Sequence, residues 1–216
     1  MNIKTVEIEL NLRLGKLLLP GGYKLTKIDK YTEGFVRTDD GVRQSIVIPL
    51  WDHKGEFQFS LTMCIRIEAV EAISNLFSGV LPEYQASSDT CVINLQAIVP
   101  ELDRLTVWDL PTIQQAVTQL SPYISTRLLP FLDEHRDLRS VDRLLNQDIP
   151  LEQIAGMSGK GSWVLWFAMS AIILARLAQN PEFDKLVERY RNEIRIFPKD
   201  DQEKYEKLVE YLRSLP

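Results

Sequence analysis

The sequence is poor in residues that announce chemistry. It has two cysteines and two histidines in 216 residues. Two cysteines build no disulfide scaffold, no C-x-x-C occurs, and the distant histidines give no zinc-ligand spacing. Glycine and proline, at 10 and 11, are ordinary, so neither a collagen-like tract nor a long linker is implied. A basic excess is missing too: 25 Lys and Arg stand against 30 Asp and Glu, a net charge of −5. Binding a phosphate backbone takes clustered cations, whereas here cations have acidic neighbours, as in Glu188-Arg189-Tyr190-Arg191. The expectation is no nucleic-acid partner. Glu7 and Glu9 interrupt the amino terminus, which does not read as a secretory signal. The longest apolar run, from Trp163 to Ala175, has 13 residues, short of the ~20 that cross a bilayer as a helix. A cytoplasmic, non-membrane protein with two reduced thiols follows as the expectation. No G-x-S-x-G, H-E-x-x-H or G-x-G-x-x-G is present. No catalytic residue, cofactor or metal is therefore assigned.

What is there is a globular composition, 45% hydrophobic and 25% charged. A chain of this length buries roughly 70% of its unfolded surface and needs no staples. Strand patterns fill the first half and helical patterns the second. That segregation predicts an α+β fold, with an antiparallel sheet packed on helices and a helical carboxyl-terminal portion. The expected division is an α+β domain over 1–147 and a helical extension over 148–216.

Residues 3–19 fit two periods. Val6, Ile8, Leu10, Leu12 and Leu14 alternate as in a strand, while Val6, Leu10, Leu14, Leu17 and Leu18 make a helical stripe. Helix-forming composition and the Leu17-Leu18-Leu19 run favour a helix, ended by Pro20-Gly21-Gly22. Short strands are expected over 23–28 and 34–38. After the Asp39-Asp40-Gly41 turn, longer ones are expected over 42–51 and 56–67, and a last one over 91–99. Pro49 lacks a ladder donor and marks an edge or bulge. Helices are expected over 68–78, from Asp109 through Leu132 with kinks or breaks at Pro122 and Pro130, over 137–146, 151–157 and 162–179, and in two terminal amphipathic segments. Asn180-Pro181 should start the first of these, and Asp200 with Glu203 should cap the second. The Trp163–Ala178 helix is apolar all round and must be surrounded. If the chain's own helices are too few, a second copy would cover it, giving a homo-oligomer.

Gly22-Tyr23-Lys24-Leu25, Gly34-Phe35-Val36-Arg37, the strands at 46–50 and 57–65, and Leu129-Pro130-Phe131-Leu132-Asp133 are arranged as in a known family. In these elements the chain resembles the domain-of-unknown-function 4304 family over about residues 3–147. The resemblance implies a helix at 3–19. It implies no activity and no catalytic residues.

Several groups invite a chemical reading. Gly156 to Ser162 contains Gly159-Lys160, but the spacing of a phosphate loop is wrong, and a loop capping the next helix is the simpler reading. Asp133, Glu134, His135 and Asp137 read as a solvated helix end, with Arg136 and Arg139 beside them. His53 follows Trp51-Asp52 without an identifiable partner. Alternation over 56–67 puts Cys64 on a polar side with Gln58, Ser60, Thr62 and Arg66, and Cys91 on an apolar one. The companion face of 42–51 carries Arg43, Ser45, Val47, Pro49 and Trp51. If the two faces coincide, they form a polar sheet surface ending in a tryptophan, and Arg43, Trp51, Gln58, Thr62 and Arg66 are the expected binding residues, since Trp and Arg are frequent anchors. The function expected is a non-catalytic interaction protein, of the adaptor or toxin-neutralising kind, with a protein partner. The alternative is an enzyme whose site lies in the cleft between sheet and helices.

Overall fold

The structure is a computed structural model that describes residues 1–30, 32–102, 104–146 and 162–216, with Ser162 and Trp163 described in the backbone alone. The fold is α+β. A five-stranded antiparallel sheet has the order β1 (Lys24–Lys27), β2 (Glu33–Asp39), β3 (Val42–Val47), β6 (Thr62–Ile67), β7 (Cys91–Asn94). A second sheet has the order β4 (Leu50–Asp52), β5 (Phe57–Phe59), β8 (Leu105–Val107). The chain divides into two compact units. The first holds residues 1–39, 43–64 and 92–134; the second holds 40–42, 65–91 and 135–216.

The first unit opens with helix α1 (Ile3–Leu18), where Asn2 Oδ1 accepts the Thr5 N–H at 2.9 Å and caps the first turn. Its stripe Val6, Leu10, Leu14, Leu18 is fully buried, and it packs on α5 (Leu110–Tyr123). Ile8 and Leu12, which the strand period would bury, are each 56% exposed. The helical period is the one that folds. Gly22, at φ 83°, turns the chain into β1 in a conformation that costs other residues a Cβ clash. Pro122 lies inside α5 and cannot donate. The helix widens to a π-type turn over Ile124–Leu128 before α6 (Leu129–Glu134). A buried amide then ties α6 to the sheet. Gln44 Oε1 accepts from Tyr23 Oη (3.0 Å) and from Arg37 Nη2, and Gln44 Nε2 donates to Leu132 O at 2.6 Å. Arg37 also donates to Gly21 O and Asp133 Oδ1, both at 2.9 Å, and lies over the Tyr23 ring.

The second unit is built around α8 (Ser162–Leu177), against which α2 (Glu68–Phe77), α7 (Leu138–Asn146), α9 (Phe183–Ile194) and α10 (Lys199–Ser214) pack. Residues 167–175 are all buried, so this chain's own helices cover that part of the apolar run on every side, while Val164 and Trp166 are half-buried. Two of the neighbours, α2 and α7, are drawn from the half of the sequence that reads as sheet domain. The expected 151–157 helix and the Gly156–Gly161 loop lie outside the described residues.

Three strand expectations are corrected. The 42–51 run breaks at Ile48-Pro49 into β3 and β4, and the 56–67 run breaks at Ser60-Leu61 into β5 and β6. The two parts of each run join different sheets, because Pro49 lacks a donor and forces the chain out of the first ladder. The 91–99 run, which comes after the one-turn helix α3 (Pro82–Gln85), is strand only to Asn94, and α4 (Leu95–Ile98) follows. The α10 amino terminus has Pro198 at its cap position and no side-chain cap bond, so Asp200 and Glu203 form no capping pair.

Candidate functional site

The five residues expected to share one polar face lie in three places. Trp51 and Gln58 do meet. In the three-stranded sheet Trp51 pairs with Gln58, and Gln58 pairs with Thr106, so the three make one cross-strand row. On either side of the row Phe57, Phe59 and Val107 are buried and Leu105 is half-buried, which turns the row outward. Trp51 is 37% exposed, and the Arg104 guanidinium lies 4.7 Å from its ring centroid. That stack fixes a planar cation against a planar aromatic at the surface.

Trp108 follows directly on β8 and is 55% exposed. Its backbone is held by a capping box. Asp109 Oδ1 accepts from Thr112 N at 2.8 Å, and the Trp108 and Asp109 N–H groups donate to Thr112 Oγ1 at 3.0 and 3.1 Å. The Thr112 backbone and hydroxyl bonds hold the Asp109 carboxyl below its ordinary range. Arg104, Thr106 and Trp108 were not anticipated in the sequence. The only signal is the three-residue alternation Leu105-Thr106-Val107 ahead of an Asp-x-Pro helix start.

Thr62 and Arg43 lie on the five-stranded sheet. Thr62 Oγ1 donates to Asn94 Oδ1 at 3.2 Å, and Arg43 is half-buried in β3. Arg66 is 6% exposed and offers no surface. Five consecutive residues of β6, from Met63 to Ile67, are buried, so both faces of this interior strand are covered and the polar side predicted for 56–67 does not exist there. Cys64 is buried for the same reason. Cys91 is buried as well, and burial first, with Asp89 second, pushes its thiol far above the ordinary range. A thiol held protonated in this way is no nucleophile.

Around Arg66 the second unit closes a polar cluster. Nε and Nη2 donate to the two Glu68 oxygens at 2.7 and 2.9 Å, and Nη1 donates to Gln85 O and Ser88 O at 2.9 and 2.6 Å. Glu71, 1% exposed, accepts from Ser88 Oγ at 2.7 Å and from Thr90 Oγ1 at 2.9 Å. Burial works most strongly against the Arg66 charge, yet the bonded Glu68 carboxylate, Glu71 and Asp89 together outweigh it and raise the guanidinium pKa. The cluster pins the segment after α2 to β6; it is a clamp.

A second buried carboxyl, Asp142 on α7, accepts from Asn146 Nδ2 at 2.8 Å and Asn180 Nδ2 at 2.7 Å. Asn146 in turn donates to Ala171 O at 3.0 Å and accepts from Tyr190 Oη at 3.0 Å, joining α7, α8 and α9. Burial pushes the Asp142 carboxyl above its ordinary range, and the two amides only partly offset this. The folded state thus holds the proton more tightly than the unfolded chain. This group favours folding increasingly as pH falls through its raised pKa. Asp137 works the other way: the Ser140 N–H lowers its pKa, and its stabilisation is lost as pH falls through the lowered value. In urea unfolding followed as the pH is lowered from neutral into the acid range, the wild type is expected to gain stability relative to Asp142→Asn. A difference independent of pH contradicts this reading.

Two hollows accompany these clusters. Between Phe59, Leu61, Leu95, Leu102 and Leu120 of the first unit lies a cavity of about 10 Å³, room for one water. An open depression of about 440 Å³ in the second unit is lined by Arg176, Gln179, Asn180, Phe183, Asp184 and Arg213. Its cations are engaged: Arg176 donates to Leu212 O, Leu215 O and Pro216 O, and Arg213 donates to Asp184. Among the described residues no group of three His, Cys, Asp or Glu side chains could hold a metal ion. Asp133 accepts from Arg37, Asp137 caps α7 through the Arg139 and Ser140 N–H groups, and His135 is buried. No helix among the described residues is long and apolar enough to cross a membrane.

No family model, no curated protein and no solved structure matches the chain.

Proposed function

We propose that this is a non-catalytic interaction protein of the cytoplasm, of the adaptor or toxin-neutralising kind, which docks a protein partner on the outer face of the three-stranded sheet. The observation that carries this reading is the Trp51–Arg104 stack beside the exposed Trp108. Tryptophan and arginine are the residues most enriched among interface anchors. A guanidinium already fixed on a ring loses little side-chain freedom on binding. The flanking Gln58 and Thr106 supply neutral hydrogen-bonding groups in register with Trp51. The polar clusters around Arg37, Arg66 and Asp142 are satisfied within the chain, which fits a scaffold role. The likeness to the domain-of-unknown-function 4304 family is proposed alongside and lends no activity.

The test is affinity capture from the native cell, followed by titration of the recovered protein. Trp51→Ala and Trp108→Ala are each expected to weaken binding by about 2 kcal/mol, roughly 30-fold, with unchanged circular dichroism. Equal binding by both variants, or turnover of a metabolite pool by the pure protein, overturns the reading.

A further inference from the structure

The first strand of the five-stranded sheet leaves a second surface open. β1 stands at the end of the strand order and, among the described residues, pairs with β2 alone. All four of its residues, Lys24, Leu25, Thr26 and Lys27, are exposed. The register sets Lys24 opposite Val36, Leu25 opposite Phe35, Thr26 opposite Gly34 and Lys27 opposite Glu33. One residue further on, Ile28 N donates to Thr32 O at 2.9 Å, which makes that pair a hydrogen-bonded one. Bonded and non-bonded pairs alternate along an antiparallel ladder. Thr26 and Lys24 therefore bond to β2, and the N–H and C=O groups of Leu25 and Lys27 point away from it, to solvent.

The side chains of this edge say what it would accept. Leu25 is 47% exposed and shares its side of the sheet with Phe35, which is buried against Gly15 of α1. An apolar residue placed opposite Leu25 would extend that buried side by one strand. Lys24 and Lys27 make no ion pair among the described residues, although Glu33 stands across the ladder from Lys27. Lysines on an open edge disfavour pairing with a second copy, because like charges would face each other. They favour a segment that brings carboxylates.

We propose that β1 is a strand-addition site that takes an extended, carboxylate-bearing segment of a partner protein as a sixth strand, with an apolar residue opposite Leu25 and an acidic one opposite Lys27. The backbone groups of Leu25 and Lys27 supply affinity, and the Leu25 and lysine side chains supply selection. This site is independent of the Trp51 face.

The experiment pans the full-length chain against displayed heptapeptides with a fixed central valine and random flanks. Retained peptides are expected to carry Asp or Glu two residues from the valine. They should bind more than tenfold more weakly to Leu25→Pro and to the Lys24→Glu/Lys27→Glu double variant, and equally well to Trp51→Ala. Proline at position 25 removes a solvent-facing donor and no ladder bond, so the fold should survive it, whereas Thr26→Pro removes a ladder bond and should disorder the strand. If Leu25→Pro fails to fold, the double charge variant decides. Peptides that bind the folded variants as well as the wild type, peptides enriched in Lys or Arg, or no peptide retained above the double variant's background would each overturn the proposal.

Discussion

Arg66→Ala is expected to lower the unfolding free energy by about 3–5 kcal/mol, the usual cost of removing one partner from a buried ionic cluster. The substitution strands Glu71, which is 1% exposed, without a nearby positive charge. It also strips donors from Gln85 O and Ser88 O. Glu68, the bidentate partner, is largely solvated and keeps water in its place, so the loss arises chiefly at Glu71 and the loop carbonyls. Per folded molecule, partner binding should not change, because Arg66 reaches no surface. Denaturation in urea measures the first quantity and titration with the captured partner the second. A stable variant with lost binding would return Arg66 to the surface role that its sequence position suggests.

The larger effect is expected in α8. Ile172 is fully buried in a helix enclosed by α2, α7, α9 and α10. Ile172→Ala should cost about 2–5 kcal/mol through lost transfer energy and the cavity left behind. Ile172→Asp puts an unpaired charge in the same place, and several kcal/mol more are lost. Against a typical total of about 5–15 kcal/mol, the aspartate variant should fail to fold, while alanine should give a folded protein with an earlier midpoint. Full tolerance of aspartate would mean that α8 is solvated. Ser170, beside it and also buried, has a hydroxyl without a partner among the described residues. Ser170→Ala should therefore be neutral or slightly stabilising, which separates polarity from packing at this helix.

Much of this architecture was legible in the residues. The Val6, Leu10, Leu14, Leu18 stripe, the Asp39-Asp40-Gly41 turn and the all-apolar run after Trp163 state their structures through period and composition. The three-stranded sheet was only half legible. Alternation in Leu50-Trp51-Asp52 and Phe57-Gln58-Phe59 correctly sets Trp51 and Gln58 on one side, and register then makes them neighbours. Periodicity could not reveal that the run from Glu56 to Ile67 changes sheets at Ser60-Leu61, since the apolar residues keep their spacing across the break. Nor could it reveal that β6 is covered on both faces. Polar residues such as Arg66 and Cys64 alternate there as on a solvated strand, and only the carboxylates and carbonyls around Arg66 make its burial affordable. Arg104 was hidden for another reason: it meets Trp51 across the sheet, and no local pattern encodes a contact between residues so far apart in sequence.

The central claim is that recognition takes place on the Trp51–Gln58–Thr106 row and its Arg104 and Trp108 neighbours. Amide hydrogen exchange on the full chain, with and without the captured partner, tests it most directly. Added protection is expected over residues 50–59 and 104–108, with none over 66–90 or 167–175. Protection confined to the latter segments, with 50–59 unchanged, would contradict it.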